Sequence, residues 1–143
     1  MREIKFRAWN KDWKMMVLPE DLQAIWFDGV TACAADVEFN ITTTDGQRHK
    51  NLWEDCKKDE VTLMQYTGLK DKNGVEIYEG DVLVIQDKNS VNGDVENETS
   101  HVRWQKDIAG FIISNYSGEG FGSYKTEDLE VIGNIHQNPE LLS

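Results

Sequence analysis

The sequence predicts a mainly β protein, a small barrel or roll with an N-terminal β-hairpin and at most one or two short helices. Apolar and polar side chains alternate with period two along Ile4–Trp9, Thr62–Thr67, Val102–Trp104 and Leu129–Ile132, which is the spacing of half-buried strands. Turn residues punctuate those stretches at Asn10-Lys11-Asp12, Asn73-Gly74 and Glu79-Gly80-Asp81. Short strands broken by turns from residue 62 onward point to a barrel or roll and away from βαβ units.

The first strand places Ile4, Phe6 and Ala8 on one face and Lys5, Arg7 and Trp9 on the other. Asn10-Lys11-Asp12 reads as a tight turn, and Trp13 to Val17 as the returning strand, which makes Trp9 and Trp13 cross-strand partners. Pro19-Glu20-Asp21 has the chemistry of a helix start, and Leu22, Ile25 and Trp26 follow at i, i+3 and i+4. A short helix or a helical turn is expected there. Val37–Ile41 alternates as a strand, Thr44-Asp45-Gly46-Gln47 reads as a turn, and Leu52–Lys57 fits strand or helix.

From Thr62 the pattern sharpens. Leu63, Gln65 and Thr67 alternate with Met64 and Tyr66, and the Asn73-Gly74 pair suits a turn that needs positive φ. Val75–Tyr78 resumes as strand, Glu79-Gly80-Asp81 turns, and Val82–Ile85 is an apolar run read as a buried strand. Residues 86–100 hold only Val91 and Val95 as apolar side chains, so they form a long exposed loop or a flexible β-extension. Strands return at Val102–Trp104, Ile108–Ile113 and Leu129–Ile132, and Pro139, Leu141 and Leu142 pin the tail. The organisation is thus a hairpin plus an irregular or short-helical segment over 1–60, and a barrel core over 61–143 carrying the 86–100 loop. The two form one compact unit.

Bulk composition narrows the class. A chain of 143 residues with 39% apolar and 29% charged side chains is an ordinary globular domain. Only Cys33 and Cys56 occur, and neither sits in a CxxC pair. The opening residues are charged at alternate positions, and the longest apolar run, Val82–Ile85, is four residues. A signal-peptide core and a membrane span are therefore not expected. A cytoplasmic protein follows, and the sequons at Asn40, Asn97 and Asn115 are read as chance. The net charge is −11, but residues 1–18 carry five basic and two acidic groups, net +3. Most of the surface repels nucleic acid, and the N-terminal segment alone is basic.

Three stretches resemble one family. Met1–Trp9, Met64–Val82 with its Tyr-Thr-Gly-Leu-Lys-Asp-Lys-Asn-Gly core, and Val131–Ile135 followed by Asn138–Leu141 are similar to the opening, central and C-terminal motifs of YopX-family proteins of phages and prophages. The resemblance spans nearly the whole chain but leaves residues 19–60 unmatched. It implies an SH3-like barrel, a phage origin in a bacterial host and a homo-oligomer. It implies no established reaction and supplies no catalytic residues.

Asp71-Lys72-Asn73-Gly74 resembles the middle of an EF-hand loop, but that alignment puts Leu69 and Gly80 where carboxylates are required. A plain β-turn is the better reading. Cys33, Cys56, His49, His101 and His136 lack the short paired spacing of zinc ligands. Cys33 lies in Thr31-Ala32-Cys33-Ala34-Ala35, the setting of an inert packed thiol. Glu76, Glu79 and Asp81 fall within six residues, and the turn context assigns Asp81 to backbone hydrogen bonds. No cofactor, metal or catalytic activity is expected.

Arg2, Lys5, Arg7, Lys11 and Lys14 interleave with Trp9 and Trp13, the composition of a single-strand stacking platform. Arg7, Trp9 and Trp13, together with Tyr66 and Lys70 of the central motif, are the candidate binding residues. The expected role is a non-catalytic binding or assembly module that self-associates. The alternatives are an acidic inhibitor of a host DNA-binding protein and a weak single-stranded nucleic-acid binder. Partners would be further copies or a host or phage protein, with nucleic acid left open and no membrane.

Overall fold

The computed structural model describes residues 3–27, 35–39, 41–42, 48–49, 61–88, 95–113 and 124–143. The chain is mainly β, as the alternation predicts, and every strand pairing among the described residues is antiparallel. It divides into two compact units, residues 5–65 and residues 1–4 with 66–143. The boundary falls inside one strand.

In the unit of residues 5–65, β1 (Phe6–Asn10) pairs with β2 (Met15–Val17) as the predicted hairpin. The connection is Lys11–Lys14, longer than the tight turn expected, and Lys14 takes φ +50. Asn10 Oδ1 accepts the Trp13 N–H at 2.9 Å. Trp13 therefore lies in the turn, and the partner of Trp9 across the hairpin is Met16. The returning strand starts two residues later than the alternation predicts because Asn10 caps the longer turn.

The expected helix is limited to a single turn. Leu22 N–H reaches Leu18 O at 3.1 Å and Asp21 N–H reaches it at 3.0 Å, so one helical turn forms around Pro19. It does not continue. β3 (Leu22–Phe27) pairs with β4 (Ala35–Phe39). Ile25, Trp26 and Phe27 are strand-favouring residues with a partner strand to bond, and that outweighs a helical spacing only three residues deep. Two short strands, β5 (Ile41–Thr42) and β6 (Arg48–His49), also pair. The turn at 44–47 and the segment 52–57 lie outside the described residues.

β7 (Val61–Lys70) runs through the unit boundary. Its first half pairs with β1 from Val61↔Asn10 to Gln65↔Phe6, and the small core there gathers Ala8 and Val17 with Met15, Leu22, Val61 and Leu63. Its second half pairs with β8 (Glu76–Tyr78), with a register shift between Tyr66 and Lys70. Gly68 sits in that shift at φ +92, a conformation that costs glycine nothing. Thr67 fills the broken ladder: its hydroxyl donates to Ile77 O at 2.8 Å and accepts the Leu69 N–H at 3.2 Å.

The unit ending at Ser143 adds a four-stranded sheet in the order β11-β10-β9-β12. Its strands are β9 (Asp81–Lys88), β10 (Val95–Gln105), β11 (Gly110–Ile113) and β12 (Leu129–Asn134). At the described ends of residues 86–100 the chain is strand, with Lys88↔Val95 through Ile85↔Glu98 as ladder partners. Residues 89–94 lie outside the described residues. Ile77 of β8 joins Leu83, Ile85, Val102, Phe111, Ile113 and Leu129 in one core, with Leu69, Tyr124 and Val131 packed against it. Two antiparallel layers close on that core as a small β-roll. Besides the turn around Pro19, the described residues hold three 3-10 turns, Lys106–Ile108, Thr126–Asp128 and Pro139–Leu142.

Candidate functional site

The buried acids of the roll serve its backbone. Asp71 is 6% exposed. Its Oδ1 accepts the N–H groups of Asn73 and Val75 at 2.8 and 2.9 Å, and its Oδ2 accepts that of Val131 at 2.9 Å. Burial raises its pKa, but those three amides and the Lys72 ammonium outweigh burial and hold it below the usual carboxylate value. The residues that resemble a calcium loop thus form a turn, with Gly74 at φ +81 as its Asn-Gly pair requires. Asp81 is likewise buried, and its Oδ2 accepts the Tyr78 N–H at 2.8 Å across the Glu79-Gly80 turn. Tyr78 donates its hydroxyl to Glu76 at 2.8 Å. Among the described residues, no group of three His, Cys, Asp or Glu could hold a metal ion. Cys33 and Cys56 lie outside the described residues.

The candidate binding residues differ in exposure. Arg7 is half-buried on β1, with Nη2 3.7 Å from Met64 Sδ. Trp9 is buried at 8% exposure, whereas Trp13, in the turn, is 39% exposed. Tyr66 is buried and packs its ring 5.4 Å from that of Tyr78 at a tilt of 42°. Lys70 is exposed at the end of β7. The structure therefore offers Trp13 and Lys70 to solvent and keeps Trp9 and Tyr66 for packing.

One exposed aromatic site was not singled out from the sequence. β10 ends at Gln105, the Lys106–Ile108 turn follows, and Ala109 at φ +48 reverses the chain into β11. Trp104 and Phe111 are partners in that ladder, and their rings meet edge to face at 5.0 Å and 78°. Phe111 is in the core, but Trp104 is 43% exposed and Ile108 is 45% exposed. Arg103, Lys106 and Asp107 are exposed around the hairpin. Alternation assigned Trp104 to a strand; it carried no information on whether a neighbouring element covers the ring. No helix among the described residues is long and apolar enough to cross a membrane.

A family model described as YopX protein matches residues 5–143. The chain belongs to the YopX family. The match extends over residues 19–60, where the three YopX-like motifs left a gap. Among solved structures, protein EF1440 from Enterococcus faecalis is 28% identical, with both chains covered in full and a TM-score of 0.64. Protein yopX from Bacillus subtilis is 22% identical over all of this chain and 98% of its own, with a TM-score of 0.62, and shares the YopX fold. No curated protein matches.

Proposed function

We propose that this YopX-family chain is a phage-encoded accessory protein that works in the bacterial host cytoplasm as a non-catalytic binding and assembly module. It associates with further copies of itself, and its roll is of the SH3-like barrel type. The observation that supports this reading is the Trp104–Phe111 pair at the end of the β10–β11 hairpin, with Trp104 half in solvent and Ile108 exposed in the adjoining turn. Exposed aromatic and aliphatic side chains ringed by polar groups are what association surfaces present. The buried carboxylates, by contrast, are engaged by backbone amides that they hold in place.

Size-exclusion chromatography with light scattering tests the reading. The wild-type chain is expected above monomer mass at tens of micromolar and Trp104→Ser at monomer mass. A wild-type monomer at several hundred micromolar refutes self-association through this hairpin.

The net charge of −11 favours a second reading, an acidic protein that occupies the DNA-gripping surface of a host protein. It predicts a partner retained from host lysate at low salt and released at high salt. The single-strand reading of the N-terminal segment is weakened, because burial removes the Trp9 ring from any stacking platform.

A further inference from the structure

The chain's last residues cross the face of the sheet that points away from the core. Strand alternation directs Leu83, Ile85, Val102 and Leu129 into the core, so Val82, His101 and Gly133 point to the opposite face. In the ladders Val82 lies between His101 of β10 and Gly133 of β12. Val82 is completely buried, yet it stands outside the core cluster. The Pro139–Leu142 turn lies over the neighbouring Gly133. Leu141 approaches Gly133 so closely that a Cβ there would sit 2.8 Å from Leu141 Cδ1 and 2.6 Å from Asn138 Oδ1. On the other side Leu141, Leu142 and Ser143 line a pocket of about 280 Å³ with Thr99 and His101. The return path is braced by Asn134, whose Oδ1 accepts the N–H groups of His136 and Gln137 at 3.1 and 2.9 Å and whose Nδ2 donates to Gln137 Oε1 at 2.6 Å.

We infer that the C-terminal turn is a strap closed over the outer face of this sheet, and that protonation of His101 beneath it releases the strap. The imidazole is half-buried in the pocket that the strap completes. A charged ring there lacks the solvation that an open strap restores. Of the described elements around it, β9 presents Val82 and Val84, β12 presents Gly133 and Glu130, and β10 itself adds Arg103. The bend before the strap carries His136, and the strap carries Glu140. Glu130 is committed to Lys72 at 2.6 Å, and Glu140 is exposed, so water screens its attraction for the imidazolium. Burial first, and then Arg103, lowers the His101 pKa from its ordinary value of 6.5. The closed strap therefore favours the neutral ring. Closure is unaffected by pH above the open-state value and weakens as pH falls from there through the closed-state value.

The test is an NMR titration of the full chain from pH 8 to 5, reading the Leu141 and Leu142 methyl groups together with the His101 ring. The methyl signals are expected to move with a midpoint matching the His101 titration. The open-to-closed ratio rises up to tenfold for each pH unit by which the closed-state pKa lies below the open-state one. His101→Gln is expected to abolish the methyl transition and His136→Gln to leave it. Gly133→Ala is expected to bring the open-state methyl shifts at pH 8. Methyl groups that stay still while His101 titrates, or a transition that survives His101→Gln, overturn the inference. So do closed-state methyl shifts in Gly133→Ala. If His101→Gln does not fold, co-titration in the wild-type chain decides alone.

Discussion

Asp71 Oδ2 accepts the backbone N–H of Val131 at 2.9 Å, joining the turn after β7 to a strand 60 residues further along the chain. The same carboxylate holds Asn73 and Val75. Asp71→Ala leaves three amides without this acceptor, and a loss of about 3 kcal/mol is expected. Urea denaturation measures it as a lower midpoint at unchanged slope. A loss below about 1 kcal/mol means that water replaces the carboxylate.

The acid limb of the stability curve carries the same residue's signature. Because the folded-state pKa of Asp71 is held below 3.8, its contribution is complete above the unfolded-state value. It disappears as pH falls from there through the folded-state value. Asp71→Asn is therefore expected to flatten the stability profile below about pH 4. Parallel profiles for the two proteins contradict this.

Gly74 isolates backbone strain from crowding. Its φ is +81, and a Cβ there meets nothing within 4 Å. Gly74→Ala is expected to cost about 1 kcal/mol, from the left-handed conformation alone. A neutral outcome in thermal or urea unfolding shows that the turn relaxes to negative φ.

The Trp104–Phe111 contact is measurable apart from any partner. A double-mutant cycle with Trp104→Ala and Phe111→Ala is expected to give a coupling of about 1 kcal/mol from the edge-to-face rings. Additive losses dispose of the pairing as an energetic unit.

Core and surface apolar residues separate cleanly. Leu83 is fully buried, and Leu83→Ala is expected to cost about 3 kcal/mol. Val75 is 47% exposed, and Val75→Ala is expected to change stability by less than about 0.5 kcal/mol. Equal costs in chemical denaturation run against this assignment of the core.

The turns of the roll were readable because their chemistry is local. Asn73-Gly74 and Glu79-Gly80-Asp81 need only positive φ and a short acid, and both form with glycine φ near +80. Period-two alternation likewise marked the strands at Thr62–Thr67 and Leu129–Ile132. Leu22, Ile25 and Trp26 misled because three residues fit a helix as well as a strand, and what decided was β4, a partner further along the chain. Trp9 misled for a related reason, and the exposure of Trp104 left no mark in the sequence. Both alternate as strand residues, but burial of one and exposure of the other depend on what packs over each strand. Asp71 reads as a turn former; its bond to Val131 is a product of tertiary folding with no mark in the local sequence.

The grip of Asp71 on β12 also governs whether this sheet accepts another strand at that margin. Leu129 O is taken by the Lys72 N–H at 3.0 Å and the Val131 N–H by the Asp71 carboxylate, so these two outward-pointing groups of β12 are occupied. One acidic side chain and one amide stand where a foreign β-segment would otherwise add, which is how native sheets resist runaway polymerisation. Strong acid, by neutralising Asp71, uncovers a docking rung for such a segment, so fibril growth in acidic storage is expected to begin along β12.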